Sequence, residues 1–539
     1  MTNEPKVISA QELKAALHDG IEIALLDARE ELTFGERHLL MASCLPLGRV
    51  EMLAADLVPR KGARVVWCDD GEGFAARAAA RMSELGYQDV QVLDGGIAAW
   101  ETAGYRIYSG VHVPSKAFAE VIEHEFGTPW ISAPDLNKLI ESKADIAVFD
   151  SRSFEEYNTN SIPTATSVPG AELVYRFKDM VPSPDTTVIV NCGGRTRSII
   201  GAQSLINGGF PNKIISLKDG TMAWHLAGCD VVKGATRQPP NVSAAGLQAA
   251  QSAAEAVEKR FAITRFTDGD VQNWRDQADE HTLYILDVRT PQEYEVGHLP
   301  GALSAPGGQL VQETDSFLTT WGARVILVDD DRVRATMTAS WLKQMGWSDT
   351  AVLTMENSSE GKDVEGLVRG PHQPKPSAVE RVQVNTISTN ELHAELAAGS
   401  VTVIDLEYSK RYKQGHIPSA CFATRTRLKD AIDTLPATSK IVLTSPDGGL
   451  AKLATADLAD TMQIPVVALD GGTRAWAEAN HELEVGDGHM ADAPDDVWLP
   501  ARERSANREK LMKEYLAWEI ELVNQMATDD DHRFQVSQS

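Results

Sequence analysis

One segment of the sequence combines the features that a nucleophilic thiol requires. Residues 188–205 read VIVNCGGRTRSIIGAQSL: an apolar run ends at Cys192, two glycines follow, and an amphipathic helical pattern begins near Arg197. We expect the backbone N–H groups of this turn, together with the helix N-terminus, to stabilise an anion at the sulfur. Because the thiolate is the reactive form of cysteine, this placement predicts a lowered pKa for Cys192.

The residues that follow Cys192 predict a site for a small anionic substrate. Two arginines add positive charge to the loop and suit a sulfonate or carboxylate group. A further arginine, in the segment PGAELVYRF, is added as a candidate for the same pocket. The predicted substrate-binding residues are Gly193, Gly194, Arg195, Thr196, Arg197, Ser198 and Arg176.

A thiolate in this setting can accept a sulfur atom. Cys192 would attack the outer sulfur of a donor such as thiosulfate, become a persulfide, and pass that sulfur to a thiol or cyanide acceptor in a two-step, ping-pong reaction. A low-molecular-weight persulfide or 3-mercaptopyruvate is an alternative donor. An alternative of a different class is a persulfide carrier or interaction scaffold without turnover.

The chain contains four copies of one pattern. Each copy has a short apolar run that ends in Asp, an aromatic residue seven positions later, and His or Ser eleven positions later. A second apolar run, an Ala-rich helical pattern and a Gly-containing turn then follow. Such alternation predicts βαβ crossovers around a parallel sheet. The Asp residues are Asp27, Asp150, Asp287 and Asp405.

We therefore predict an α/β protein of four tandem domains, each a mostly parallel central sheet flanked by helices, plus a C-terminal helical tail. The predicted bounds are 1–110, 128–234, 262–357 and 384–487 for the domains and 488–539 for the tail. An Ala-rich helix is expected between the second and third domains, and a linker over 356–380. The tail segment REKLMKEYLAWEIELVNQM has apolar residues at helical spacing, which predicts packing on a domain or pairing with a second copy in a homodimer.

Together these features resemble the rhodanese family. The shared motifs are D-x-R at a strand end, the segments GHLPGA and GHIPSA, the cysteine loop and the closing GG…W. The resemblance covers nearly the whole chain and implies thiosulfate sulfurtransferase activity, with the same roles for the loop residues. The loop of six residues from Cys192 through Arg197 matches sulfur-transferring members, whereas related phosphatases and arsenate reductases carry one residue more. A cysteine phosphatase is therefore disfavoured.

Sequence offsets identify the counterparts of Cys192 in the other three domains. Cys192 follows Asp150 by 42 positions, and the same offset leads to Asp69 and Asp329; in the shorter fourth unit the equivalent is Ser445. Asp and Ser are good helix N-caps, so these loops are expected to be structural and inactive.

Two other groups of residues could be mistaken for catalytic ones. Cys68 precedes the catalytic position by one residue, so its side chain should point off the opposite face of its strand. Three units carry His38, His298 and His416, but the unit with the nucleophile has Ser161 at that position. A base that is missing only from the active unit cannot serve it, and we expect these histidines to bond the backbone.

The composition limits which binding partners and which cellular compartment are expected. There are 51 Lys and Arg against 77 Asp and Glu, a net charge of −26, which disfavours nucleic acid and anionic membranes. The N-terminus is polar, the apolar runs are too short to span a bilayer, and the five cysteines form no CxxC pair. We expect a cytoplasmic protein with no disulfide, no metal site and no cofactor.

Overall fold

The computed structural model describes residues 5–355, 366–372, 374, 377–459, 461–504 and 507–536. It contains four α/β domains, one for each repeat, and the predicted fold class is confirmed. The strand pairings within the four sheets are parallel. Residues 356–365, 373, 375 and 376 of the predicted linker lie outside the described residues.

The first domain has the strand order β1-β5-β4-β2-β3. Its strands and helices are β1 (Lys6–Ile8), α1 (Ala10–Leu17), β2 (Ile23–Asp27), α2 (Glu31–Glu36), β3 (Ser43–Cys44), α3 (Val50–Leu57), β4 (Arg64–Cys68), α4 (Phe74–Glu84), β5 (Asp89–Leu93) and α5 (Gly96–Thr102). All five residues of β2 are buried, as expected for a parallel strand that is covered on both faces.

The second domain has the order β6-β10-β9-β7-β8. Its elements, with a preceding helix, are α6 (Val113–Phe126), β6 (Trp130–Ile131), α7 (Ala133–Glu141), β7 (Ile146–Asp150), α8 (Phe154–Thr159), β8 (Thr166–Ser167), α9 (Glu172–Met180), β9 (Thr187–Asn191), α10 (Thr196–Asn207), β10 (Ile214–Leu217) and α11 (Gly220–Leu226). Successive residues of β9 face opposite cores: Val188 and Val190 pack with Phe177, and Ile189 packs with Trp224. Both faces of the sheet are therefore buried at β9, and the cysteine loop begins directly after its last residue, Asn191.

The third domain has the order β11-β16-β15-β12-β13. Its elements are α12 (Ala244–Arg260), β11 (Thr264–Arg265), α13 (Asp268–Asp276), β12 (Leu283–Asp287), α14 (Pro291–Val296), β13 (Leu303–Ser304), α15 (Gly307–Gln312), β14 (Thr320–Trp321), β15 (Arg324–Asp329), α16 (Arg334–Gln344) and β16 (Thr350–Thr354). Helix α12 is the predicted Ala-rich helix, and its Ala250 and Ala254 share a core with Val333 of the third domain and Phe177 of the second.

The fourth domain has the order β17-β21-β20-β18-β19-β22. Its elements, with the tail helix, are α17 (Ser377–Arg381), β17 (Thr386–Ile387), α18 (Thr389–Ala397), β18 (Thr402–Asp405), α19 (Ser409–Tyr412), β19 (Cys421–Phe422), α20 (Leu428–Thr434), β20 (Ile441–Thr444), α21 (Gly449–Leu458), β21 (Val466–Leu469), α22 (Gly472–Glu478), β22 (His489–Met490) and α23 (Arg508–Met526). Strand β22 extends this sheet, so the first residues of the predicted tail belong to the fourth domain.

The chain divides into two compact units. One comprises Met1–Leu13, Ala24–Val111 and Gln373–Trp498, and the other Lys14–Ile23, His112–His372 and Leu499–Ser539. The second unit therefore holds the second domain, the third domain and the predicted tail helix. Within this unit, apolar residues of α23 pack against α11 of the same chain. Pairing of α23 with a second copy of the protein stays a prediction. In the described part of the chain, no helix has the length and hydropathy to cross a membrane.

Candidate active site

Cys192 lies at the junction of β9 and α10, directly after the last residue of the strand. Its Sγ donates to Ser198 Oγ at 3.5 Å, and Ser198 Oγ donates to the Arg195 carbonyl oxygen at 2.8 Å. Cys192 is buried, with 2% of the residue's surface exposed. Ser198 therefore ties the thiol to the first turn of the helix, and stabilisation of an anion at this position stays a prediction.

The first turn of α11 binds the backbone of the cysteine loop. The Thr221 N–H donates to the Cys192 carbonyl oxygen at 2.9 Å, and the Met222 N–H donates to that of Gly193 at 3.2 Å. A Cβ on Gly220 would lie 2.3 Å from the Cys192 carbonyl oxygen, and the φ of this glycine is +53°. Only glycine permits this approach. The Gly-containing turn that closes the repeat thus positions the cysteine loop.

The predicted lowering of the Cys192 pKa is wrong for the enclosed site seen here. Burial is the largest influence and raises the pKa of the Cys192 thiol. Arg197 and the Ser198 hydroxyl and N–H act in the opposite direction, as the sequence predicted, and Glu519 raises the pKa further. The loop does favour the thiolate, but desolvation of the sulfur outweighs it.

Arg195 is held by three carboxylates. Its Nε and Nη2 donate to the two oxygens of Glu120 at 2.6 and 2.8 Å, its Nη1 donates to Asp219 Oδ1 at 2.8 Å, and it also pairs with Glu123. The guanidinium is buried, and these carboxylates raise its pKa against the effect of burial. Arg195 therefore anchors the loop to α6, and a donor would have to compete with three anions for it.

Arg197 forms a bidentate pair with Glu156. Its Nη1 and Nη2 donate to the Glu156 oxygens at 2.6 and 3.0 Å, and Nη1 also donates to Gln309 Oε1 at 3.1 Å. Burial would raise the pKa of Glu156, but Arg197, Arg502 and Arg152 hold it well below its usual range. Glu156 thus stays ionised and fixes Arg197 beside the cysteine, whose charge Arg197 favours.

The remaining predicted residues occupy different places. Gly193 and Gly194 form the backbone of the loop, and the Thr196 hydroxyl donates to Glu519 Oε1 at 3.3 Å. Arg176 donates to Glu172 Oε2 at 2.6 Å and to the Pro240 carbonyl oxygen at 3.2 Å. Arg176 is thus engaged with α9 and the segment before α12, and its role in donor binding stays a prediction.

Sequence reasoning missed the side chains that reach the loop from the C-terminal segment. Arg502 Nη1 lies 2.9 Å from the position that a Cβ on Gly193 would take. Glu519 Oε2 lies 3.0 Å from the corresponding position on Gly194. More than 300 residues separate Cys192 from Arg502, and no local motif connects them. The helical pattern of α23 predicted a packed helix but not its location.

The pair of Glu156 and Arg197 was also missed, although the repeat holds a signal for it. In the third domain Arg334 Nη1 donates to Glu293 Oε2 at 2.7 Å. The two residues of each pair are 41 positions apart, and each Glu follows its repeat's Asp by six positions. Comparison of the second and third repeats could therefore have found this ion pair.

In the other domains the counterparts of Cys192 cap the following helix. Asp69 Oδ2 accepts from the Ala75 N–H at 2.9 Å, Asp329 Oδ2 from the Ala335 N–H at 2.9 Å, and Ser445 Oγ from the Ala451 N–H at 3.2 Å. Each acceptor lies six residues before its donor, the same spacing that separates Cys192 from Ser198. The predicted capping is confirmed, and it uses the N–H group at the position that Ser198 occupies in the second domain.

The residues that could be mistaken for catalytic ones have structural roles. Cys68 is fully buried, and burial and the nearby Asp27 raise the pKa of its thiol. Its counterpart in the second domain, Asn191, donates to Asp150 Oδ2 at 3.0 Å. The histidines bond the backbone as predicted. The Nδ1 of His38 lies 2.8 Å from the carbonyl oxygen of Leu39. The Nδ1 of His298 lies 2.9 Å from that of Tyr294, and the Nδ1 of His416 lies 2.8 Å from that of Tyr412.

Comparison with known proteins finds similarity both to the single repeat and over the full length of the chain. The family model for the rhodanese-like domain matches residues 9–103, 132–227, 249–360 and 388–479. A crystal structure of thiosulfate sulfurtransferase from Pseudomonas aeruginosa is 42% identical and covers 99% of this chain and 100% of its own, with a TM-score of 0.93. A thiosulfate sulfurtransferase of Azotobacter vinelandii is 24% identical over 233 residues, 36% of this chain and 84% of that protein.

Proposed function

This chain belongs to the rhodanese-like family of sulfurtransferases, and we propose that it transfers sulfane sulfur from thiosulfate to a thiol or cyanide acceptor through a persulfide on Cys192. One observation carries the proposal. Cys192 stands at the head of a Gly- and Arg-containing loop at a helix N-terminus, where the three other domains have Asp69, Asp329 and Ser445 as helix caps. A single domain therefore holds a nucleophile in this frame.

The transfer proceeds in two displacement steps. After the thiol proton has left to solvent, the Cys192 thiolate attacks the outer sulfur of thiosulfate; a new S–S bond forms, the donor's own S–S bond breaks, and sulfite leaves with the bonding electron pair. The acceptor thiolate or cyanide then attacks the outer sulfur of the persulfide, and Cys192 leaves as a thiolate. Both enzyme forms carry one negative charge, which Arg197 and the Ser198 N–H and O–H favour.

Arg197 is the better candidate of the two loop arginines for contact with the donor anion. It is paired with one carboxylate, Glu156, whereas Arg195 is paired with Glu120, Glu123 and Asp219. Glu156 also pairs with Arg502, which has a longer contact of 3.8 Å to Glu503 as well. A sulfonate near Arg197 would therefore meet a second guanidinium group.

A persulfide carrier is the second candidate, and the burial of Cys192 favours it. A cysteine with only 2% of its surface exposed can retain a persulfide while solvent and small thiols are kept away. A carrier would load one sulfur from a donor but release it slowly to cyanide or free thiols. The net charge of −26 and the five free cysteines support a cytoplasmic site of action with small sulfur compounds as partners.

Steady-state kinetics with a panel of donors test the proposal. Thiosulfate, 3-mercaptopyruvate and a low-molecular-weight persulfide are compared with cyanide as acceptor, in the wild type, Cys192→Ser and the matched control Cys68→Ser. We expect Cys192→Ser to abolish transfer and Cys68→Ser to retain most of it. Substantial transfer by Cys192→Ser would refute the assignment, and turnover below that of a free thiol, with a stable bound sulfur, would favour the carrier.

A further inference from the structure

The C-terminal segment places two side chains of opposite charge against the cysteine loop. Arg502 approaches Gly193, and Glu519 approaches Gly194, each within about 3 Å of where a Cβ would lie. Helix α23 is fixed there because Met512 and Leu516 pack with Met222 of α11. The wall of this site is therefore built by a segment outside the second domain.

Arg502 adds a positive charge at the loop, and one of its terminal nitrogens, Nη1, is available to bind a ligand. Its Nη2 donates to Glu156 Oε1 at 2.7 Å and lies 3.8 Å from Glu503 Oε1. Its Nη1, the nitrogen nearest to Gly193, makes no hydrogen bond to the part of the chain that the structure describes. A guanidinium with an unengaged N–H beside a nucleophilic sulfur suits an oxygen of an anionic donor.

Glu519 brings a carboxylate oxygen without a hydrogen-bond partner among the described residues close to Gly194. Its Oε1 accepts from the Tyr515 hydroxyl at 3.0 Å and from the Thr196 hydroxyl. Its Oε2 is buried and finds no hydrogen-bond partner among the described residues. A buried carboxylate oxygen without a donor opposes any further negative charge placed near it.

The charged and titratable groups that act on Glu519 come from three elements. Lys116 and Glu120 lie on α6, Arg195 on the cysteine loop, and Tyr515 on its own helix. Burial raises the pKa of Glu519 to about 7, with Glu120 acting in the same direction and Lys116, Tyr515 and Arg195 against it. The charge on this carboxyl group thus changes near neutral pH.

We propose that the C-terminal segment completes the active site as a filter for donor charge, in which Arg502 binds the anionic end of the donor and Glu519 disfavours a second negative charge. The inference rests on the proposed function, because it names the class of donor that Cys192 meets. A monoanionic thiosulfonate should be a better donor than dianionic thiosulfate when Glu519 is ionised. Protonation of Glu519 should narrow the difference.

The experiment compares kcat/KM for thiosulfate and for methanethiosulfonate, between about pH 6 and pH 9, with cyanide as acceptor. Glu519→Gln keeps the shape of the side chain and removes its charge; we expect the preference for the monoanion to fall about tenfold above pH 7 and its pH dependence to flatten. Arg502→Gln should lower kcat/KM about tenfold, most for thiosulfate, and Arg502→Lys should restore part of it. The matched controls Glu521→Gln and Arg508→Gln remove exposed charges from α23 and should change neither the donor preference nor kcat/KM.

A second readout requires no sulfur transfer. Alkylation of Cys192 by anionic iodoacetate is compared with alkylation by neutral iodoacetamide. The rate with iodoacetate divided by the rate with iodoacetamide is independent of the fraction of thiolate. This ratio should rise several-fold in Glu519→Gln and fall several-fold in Arg502→Gln. If Cys192→Ser keeps transfer activity, the proposed function fails while this ratio still tests the filter. Unchanged alkylation and donor ratios in both tail variants would overturn the inference, and if neither reagent reaches Cys192 the donor kinetics decide.

Discussion

Gly220 is the position where one added methyl group should disturb the cysteine loop most. Its φ is +53°, and a Cβ there would lie 2.3 Å from the Cys192 carbonyl oxygen and 2.7 Å from that of Gly194. The left-handed backbone costs alanine roughly 1–2 kcal/mol, and forcing the two carbonyls away adds about 1–3 kcal/mol. We therefore expect Gly220→Ala to destabilise this part of the second domain by about 2–5 kcal/mol and to reduce sulfur transfer.

Gly228→Ala is the matched control. Gly228 has a φ of +74° but no atom within 4 Å of the added Cβ, so this variant carries only the backbone cost of roughly 1–2 kcal/mol. Hydrogen exchange of the amides of β9 (Thr187–Asn191) measures both variants, because it reports opening of the sheet that carries Cys192. Equal destabilisation by the two substitutions would show that the carbonyl contact does not constrain the loop.

A third variant separates stability from catalysis. A Cβ on Gly96, the counterpart of Gly220 in the first domain, would lie 2.4 Å from the Asp69 carbonyl oxygen. Gly96→Ala should therefore destabilise the first domain and leave sulfur transfer at 25 °C close to that of the wild type. If Gly96→Ala lowered transfer as much as Gly220→Ala, the effect on the Cys192 loop would not be local.

Three further predictions concern the charges and caps of the loops. Arg197→Gln should raise KM for thiosulfate or lower kcat, because a charge-assisted contact of about 1.5–3 kcal/mol is lost; an unchanged kcat/KM would show that Arg197 does not meet the donor. Asp69→Cys or Asp329→Cys, made in Cys192→Ser, should cost about 0.5–2 kcal/mol of stability and restore no thiosulfate:cyanide activity; recovery to within about tenfold of wild type would show competent loops. The pKa of Glu156 is held low in the folded protein, so its ion pairs stabilise the fold at pH values above the unfolded pKa of about 4.3. The denaturation midpoint should therefore fall as the pH drops below that value. The fall should be smaller in Glu156→Gln, which has no carboxylate to protonate at this position.

The sequence was sufficient for the fold because its signals are local and repeated. Each strand that carries a loop is a short apolar run with a fixed offset from the preceding Asp, and α12 and α23 follow from helical spacing. The capping roles of Asp69 and Asp329 follow from the offset of 42, and that of Ser445 from the fourth unit being two residues shorter, because a side-chain acceptor at a strand end meets the next helix's N–H groups.

The surroundings of the loop could not be predicted in the same way. The pKa of Cys192 depends on how deeply the thiol is buried and on Glu519, which raises it further and lies more than 300 residues away in the sequence. Arg195 looked like a donor-binding cation, but three carboxylates from α6 and from the turn before α11 neutralise it. Glu519 reaches the loop because α23 packs on α11 and α6, and Arg502 precedes that helix; a helical pattern does not specify its partner surface.

Location of the transferred sulfur tests the central claim most directly. The protein is incubated with thiosulfate and no acceptor, and its cysteine-containing peptides are then measured by mass spectrometry before and after cyanide is added. We predict a gain of one sulfur atom on the peptide that contains Cys192, and its loss to cyanide with an equal amount of thiocyanate formed. Sulfur on Cys68, or no bound sulfur while thiocyanate is still produced at the wild-type rate, would contradict a Cys192 persulfide.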